Sequence, residues 1–348
     1  MTDISASPVL VLGADGTVAR ATLEALLRKG AQIRALVRRD LPDRDPRVEW
    51  VIGDLRAERV LRNALAGVRT AFYVTPHADD ETTMAELVVA ECRRAGVRLV
   101  FVGVHVSGRT ARGRLSRLLY KVLMPAYKPK LDLAGMVERT SPEVVMLTPP
   151  NFYDNDLMFL PEILSGTFPT PLRGVNRVAV CDIGDVAARA LTEPDFPSGT
   201  HGVWGPVSLT GAESAAIWAE VLGRPVRYTG DDKAAWEVTL CRRVPDGKKR
   251  RDWRNSFRTL SWMTMATSSD QVEETTQLLG RAPTAYRDWV QAQLQSGFEG
   301  DLGGTSRAFG AAALQVGADF RVQGCVQTRP GQEDRTVDGG IVGSRGGC

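Results

Sequence analysis

Gly13, Gly16 and Ala19 stand at a Gly-x-x-Gly-x-x-Ala spacing in "VLVLGADGTVARATLEALLRKG" (Val9–Gly30), between a short apolar run and a helical pattern. That arrangement suits pyrophosphate binding. The glycines let the backbone turn tightly and approach the anion, and the amides that open the helix point at it. Gly13, Asp15, Gly16, Thr17 and Val18 form the candidate cradle, and the small Ala19 lets helix and strand pack closely. Two histidines offer a different chemistry. His105 follows the apolar run Val97–Val104 and His77 follows Arg69–Pro76, and an imidazole exchanges protons near neutral pH. His105 is the candidate proton donor. His77, with Asn151, Phe152 and Tyr153 of "PPNFYDN", is a candidate wall of a substrate pocket.

Such residues act together only if a scaffold collects them. Strand-like runs at Val9–Leu12, Ala31–Arg39, Val48–Leu55, Arg69–Pro76 and Val97–Val104 are interleaved with helical patterns at Val18–Leu27, Arg59–Gly67 and Glu81–Gly96. The alternation predicts βαβ units, right-handed crossovers and a parallel sheet covered on both faces. Ligands of such sheets sit beyond the carboxyl ends of the strands. Those ends carry the glycine loop, Arg38 and Arg39, Asp54 and Leu55, Thr75 and Pro76, and Gly103. Paired guanidiniums after the second strand match the 2'-phosphate of NADP, where a carboxylate would hold the ribose of NAD. NADP(H) is therefore the expected cofactor, with Asp54 and Leu55 beside its adenine, although Asp54 also has the chemistry of a helix cap.

Further along, Leu131–Pro142 reads as a helix and Glu143–Asn155 begins as a sixth strand. Arg177–Pro194 reads as a short strand and a helix capped by Asp182 or Asp185, Gly211–Gly230 as a helix and a strand, and Ser268–Leu294 as two short helices. Ser107–Pro129 shows only a loose, basic, partly amphipathic pattern. The expected fold is α/β, a doubly wound parallel sheet of Rossmann type with helices on both faces. Residues 1–150 form that domain, and 151–295 a small C-terminal α/β substrate lobe with some elements returning to the sheet. Residues 296–348 are glycine-rich with little periodicity, the pattern of a disordered tail.

Composition narrows the partners. A net charge of +3 over 348 residues is too small to argue for nucleic acid. The basic stretch Asp246–Arg258 holds Trp253 and Phe257 four apart, which marks a helix's buried side better than a base-stacking surface. No apolar run approaches the roughly 18 residues of a span, so no membrane partner is expected. Five scattered cysteines without Cys-x-x-Cys spacing and only three histidines suit a reducing cytoplasm and offer no metal site.

The segments "VLGADGTVA", "RALVRR", "VIGDL", "NALAGVRTAFYVTP" and "RRAGVRLVFVGV" together resemble the NmrA-like branch of the atypical short-chain dehydrogenase/reductase superfamily. "MLTPPNFYDN" is similar to that family's strand-to-loop segment on the substrate side, and "LLGRAPTAYRDWV" to its closing helix. The resemblance covers Pro8–Leu294 and implies a Rossmann domain, a substrate lobe and NADP preference. Members include NADPH-dependent reductases of quinones and other small molecules, and redox-sensing regulators without turnover. It also implies a lysine approaching the nicotinamide ribose, for which Lys130, beside Lys128, is the candidate.

The chain departs from the pattern at Asp15, Ala19 and, more seriously, the catalytic residues. Reductases of the wider superfamily have a serine at the end of the fifth strand and a Tyr-x-x-x-Lys on the next helix. Here Gly103 takes the serine position, Tyr120 is followed four residues on by Met124, and Tyr127 by Leu131. That triad is absent. Hydride transfer to a quinone demands less acid catalysis, because the oxyanion formed is delocalised. The expected function is NADPH-dependent reduction of a small quinone-like or aromatic molecule, with His105 and Lys130 as catalytic residues. The alternative is a non-catalytic NADP(H) redox sensor acting through a protein partner.

Overall fold

A computed structural model describes residues 7–42, 44–104, 111–123, 127–141, 143–245 and 247–299. Strand and helix alternate at first: β1 (Val9–Leu12), α1 (Thr17–Arg28), β2 (Ile33–Val37), β3 (Val48–Ile52), α2 (Glu58–Leu65), β4 (Thr70–Val74), α3 (Glu81–Ala95) and β5 (Arg98–Val102). Then come α4 (Ala111–Leu123), α5 (Lys128–Thr140), β6 (Val145–Thr148), α6 (Leu160–Leu164), β7 (Thr167–Phe168), β8 (Val175–Asn176), α7 (Val180–Thr192) and β9 (Gly199–Gly202). The chain continues through β10 (Ser208–Leu209), α8 (Gly211–Leu222), β11 (Arg227–Tyr228), α9 (Lys233–Arg243), α10 (Gly247–Leu260), α11 (Ser269–Leu279) and α12 (Tyr286–Glu299).

Seven of these strands form one parallel sheet in the order β3-β2-β1-β4-β5-β6-β9. The direction of winding reverses between β1 and β4, which opens a crevice at their carboxyl ends. β9 returns to the sheet from well beyond residue 150, as expected. Alternation along β1 explains its unbroken apolar run. Val9 and Val11 join the core under α1 and α7, whereas Leu10 and Leu12 join the opposite core under α2, α3 and α5. Helices α1 and α7 touch backbone to backbone, since a Cβ added at Gly184 would lie 2.6 Å from the Ala21 carbonyl.

A third core gathers the C-terminal elements around Trp218, Trp236, Phe257, Tyr286 and Trp289. At its centre lies an ion pair removed from water: Arg177 and Asp156 are 1% and 0% exposed, with Nη1 donating to Oδ2 over 2.7 Å. The second guanidinium nitrogen donates to Ser214 Oγ (2.9 Å), the Tyr286 hydroxyl donates to the same carboxylate oxygen, and Trp218 Nε1 donates to Tyr286 (2.8 Å). These four hydrogen bonds and the Tyr286 ring under the guanidinium (4.6 Å) offset the desolvation of both charges, while Asp156 Oδ1 and Arg177 Nε stay buried without a hydrogen bond.

The structure departs from the sequence reading in four places. Helix α7 has Ala179 at its N-cap, so neither Asp182 nor Asp185 caps it. Asp182 instead accepts from the Thr284 amide (2.7 Å), the Thr284 hydroxyl (2.8 Å) and Arg281 (2.7 Å), and ties α7 to the segment before α12. The loose stretch after Ser107 contains a regular helix, α4, and one further helix, α9, occupies residues given no assignment. Helix α12 runs to Glu299, past the expected boundary at Ser296, and the rest of the supposed tail lies outside the described residues. Arg177→Leu, which leaves Asp156 buried without its cation, is expected to lower unfolding free energy by about 3–5 kcal/mol. Urea denaturation measures it, and a loss below about 1 kcal/mol would contradict the central role given to the pair.

Candidate functional site

The crevice begins at the turn after β1. Gly13 has a φ of 65°, in the left-handed region that favours glycine. A Cβ at Gly16 would come 3.3 Å from the Gly13 carbonyl oxygen, a tight contact that glycine avoids. The amides of Gly13 and Ala14 donate to Leu36 O (3.0 and 3.2 Å), which fastens the turn to β2. Helix α1 then opens on Gly16 with no side-chain cap, so its first-turn amides face outward. Gly13, Asp15, Gly16 and Thr17 are exposed, whereas the Val18 and Ala19 side chains are buried. Val18 therefore serves the loop through its amide alone.

Arg38 and Arg39 follow β2 and are both exposed; among the described residues neither guanidinium makes a side-chain hydrogen bond or ion pair. Asp40, the carboxylate that would repel a phosphate there, is paired with Arg44 (3.0 Å). Asp54 accepts from the Arg56 amide (2.9 Å), so it organises the turn before α2, with Leu55 half-buried beside it. Arg56 in turn grips Asp80 through two nitrogens (2.6 and 3.0 Å) and joins the loops after β3 and β4. An uncapped helix start together with two unpartnered guanidiniums on the same sheet edge fits a phosphate-rich dinucleotide.

On the other side of the crevice, Thr75, Pro76 and His77 follow β4 and Gly103 follows β5. The Gly103 amide donates to Leu147 O (3.1 Å). His105, the expected proton donor, lies outside the described residues. His77 Nδ1 lies 2.8 Å from Asp252 Oδ2 on α10. Lys248, one turn earlier, reaches Asp252 (3.1 Å) and Glu81 (3.6 Å), and Lys130 reaches Glu81 (3.2 Å). The Tyr127 hydroxyl lies 2.6 Å from Ser256 Oγ, also on α10. Helix α10 thus lies against the substrate side, with Trp253 stacked on Phe257 (5.4 Å) in the third core, as their spacing suggested. Packing under α10 lowers the His77 pKa below the ordinary histidine value, with the Asp252 carboxylate opposing. Burial raises the Tyr127 pKa.

The Lys130 ammonium lies 3.2 Å from Glu81, a carboxylate only 8% exposed. One expectation needs correction. Tyr153 is no pocket wall. It is fully buried between Tyr286 (4.8 Å) and Trp289 (5.7 Å), and its hydroxyl donates to Thr284 O (3.4 Å). An aromatic ring in a loop carries the same sequence signal whether it lines a pocket or closes a core. Asn151 is nearly buried and accepts from Asn155 (3.1 Å), while Phe152 is half-buried against the sheet core. Sequence reasoning missed Asp252, Lys248 and Glu81, which no local pattern connects to His77 or Lys130.

Residues 13–194 match the family model described as NAD(P)H-binding. The NAD(P)H azoreductase of Xenophilus azovorans is 31% identical over 230 residues, 63% of this chain and 76% of that protein. An NADPH-dependent quinone oxidoreductase of Escherichia coli, solved with NADPH, superposes with a TM-score of 0.63 at 17% identity, covering 82% of this chain and 99% of that one. NmrA, a negative transcriptional regulator solved with NADP, gives a TM-score of 0.63 at 14% identity over 87% of this chain and 99% of its own. The two structural likenesses establish the fold.

Asp252→Asn is expected to lower the His77 pKa further, because it removes the negative charge that opposes desolvation. An NMR titration of the His77 ring reads this directly; an unchanged or raised pKa would contradict the contact.

Proposed function

This chain belongs to the NAD(P)H-binding family and has the NmrA-like Rossmann fold, and on that footing we propose that it is an NADPH-dependent reductase of a small aromatic or quinone-like acceptor. The observation that carries the reading is the open turn Gly13–Thr17 with the unpartnered Arg38 and Arg39 on the same edge. In this proposal the diphosphate lies against Gly13, Asp15, Gly16, Thr17 and Val18, held by the amides of Asp15, Thr17 and Val18, while the Gly13 and Gly16 amides fasten the turn to Leu36 O and Gly13 O. Arg38 and Arg39 hold the 2'-phosphate, Asp54 and Leu55 flank the adenine, and Thr75, Pro76 and Gly103 line the nicotinamide side. The cofactor supplies a hydride when bound.

The chain's own residues position the acceptor and manage one proton. A hydride and a proton together convert a quinone to its hydroquinone. His77 is the proton source: with Asp252 accepting from Nδ1, its imidazolium has Nε2–H left to donate. Orientation does most of the remaining work. The azoreductase relative and the quinone oxidoreductase neighbour support this acceptor class.

A second reading is favoured by specific contacts. Gly103 stands where the superfamily has serine, Tyr127 is held by Ser256 and Lys130 by Glu81, an arrangement that also suits a non-catalytic NADP(H) sensor with a protein partner. NADPH oxidation across a panel of quinones and azo compounds decides between them. Turnover supports the reductase, and tight binding of both oxidation states with no turnover supports the sensor.

Arg38→Ala/Arg39→Ala is expected to weaken NADPH binding about ten- to a hundred-fold, the worth of a charge-assisted hydrogen bond at roughly 1.5–3 kcal/mol, and to leave NADH binding unchanged. Equal loss for both nucleotides in fluorescence titrations would overturn the assignment of the 2'-phosphate. Because His77 donates only when protonated and its pKa lies below the ordinary value, turnover should fall as pH rises through that lowered pKa. His77→Gln should flatten this limb of the pH–rate profile, and an unaltered profile would remove His77 from the reaction.

A further inference from the structure

Helix α10 is attached to the molecule in two ways. Its apolar residues Trp253, Phe257 and Leu260 pack in the third core. Its charged residues meet the loop after β4 and the start of α3: Asp252 with His77 (2.8 Å), Lys248 with Glu81 (3.6 Å) and Arg251 with Asp79 (3.6 Å). The Tyr127 hydroxyl before α5 adds its contact with Ser256 (2.6 Å).

These ion pairs differ in weight. Arg251 and Asp79 are largely exposed, so water and salt screen them and their pair contributes little. Glu81 is buried, and a carboxylate there without a cation is strongly unfavourable. Lys130 approaches it from α5 (3.2 Å) and Lys248 from α10 (3.6 Å). Lys248, whose side chain is 18% exposed, also reaches Asp252 one turn on, so that Asp252 Oδ2 lies 3.1 Å from its Nζ and 2.8 Å from His77 Nδ1. Desolvation works against the charge of Lys248, but Asp252 and Glu81 outweigh it and raise the ammonium pKa above the ordinary lysine value. Burial likewise pushes the Asp252 carboxyl up, and His77 and Lys248 bring it below the ordinary value. At neutral pH one cation therefore spans two anions on different elements.

We propose that Lys248 is the positioning residue of this site: by bridging Glu81 of α3 and Asp252 of α10 it seats α10 on the loop after β4 and holds the Asp252 carboxylate against His77 Nδ1. The oxygen shared by ammonium and imidazole keeps the carboxylate from turning away. The groups that act on His77 come from three helices: Asp252 from α10 and Glu81 from α3 favour its charged form, whereas Lys130 from α5 opposes it together with desolvation, the largest effect. Lys248 sets how closely the first of these approaches. This role rests on the reductase reading of His77, whereas the ring's own titration reports the contact whether or not the chain turns over.

The test is an NMR titration of the His77 ring in the full chain carrying Lys248→Met, Lys248→Arg or Arg251→Gln. Lys248→Met removes a cation and loosens the packing that keeps the His77 pKa low, so that pKa is expected to rise toward the ordinary histidine value by about half a pH unit or more. Lys248→Arg retains the charge and should restore the wild-type titration, and Arg251→Gln, at the screened pair, should not alter it. Lys248→Gln replaces the methionine variant if circular dichroism shows the latter unfolded. An unchanged or lowered His77 pKa on loss of the Lys248 charge overturns the proposal, and so does an equal rise in Arg251→Gln or in Lys248→Arg. In NADPH oxidation with a quinone, the falling limb of the pH–rate profile should move up with the titration. A moved titration with an unmoved limb supports the seating by Lys248 and removes His77 from the reaction.

Discussion

Helix α1 begins without a side-chain cap, and the amides of its first turn have partial positive charge that only water or an anion can satisfy. The surrounding architecture holds this one charged end still. The turn is tied to β2 through Leu36, and α1 is locked from behind by backbone contact with Gly184 of α7. The sheet reverses its winding beside it. A site on such elements is pre-organised, so little ordering opposes binding of an extended ligand.

The far wall of the crevice depends on a different kind of electrostatics. Arg177 and Asp156 are wholly buried and hydrogen-bonded to each other, to Ser214 and to Tyr286, which fixes the segment after β6 against α8 and α12. The groups under α10 range from the buried Glu81 to the partly exposed His77: His77, Asp252, Lys248, Glu81 and Lys130 form a chain of alternating charge in which one proton shifts the balance. The first cluster can only hold shape. The second can titrate at His77, and it joins the loop after β4 to residues of α3, α5 and α10.

Most of the sheet was legible in the sequence, because a strand covered on both faces must be apolar throughout, as "VLVL" is. The turn after β1 was legible for a similar reason, since Gly13 and Gly16 lie in one short local motif. Contacts across the fold were not. His77 and Asp252 are 175 residues apart, and nothing near either one specifies the other. Helix α10 is so rich in Arg and Lys that its buried face shows only as Trp253 and Phe257. Tyr153 was misassigned because a loop aromatic looks alike on both sides of the core boundary. Helix α4 read as a loose stretch because its apolar residues Leu115, Leu118, Leu119 and Val122 are exposed and matched to no core.

The central claim is that this chain binds NADP(H) along the edge from Gly13 to Arg39. Isothermal titration calorimetry of the purified protein with NADPH and with NADP+ tests it most directly. The account requires saturable heat at one nucleotide per chain for at least one of the two. No detectable heat from either, with a correctly folded protein by circular dichroism, would contradict it.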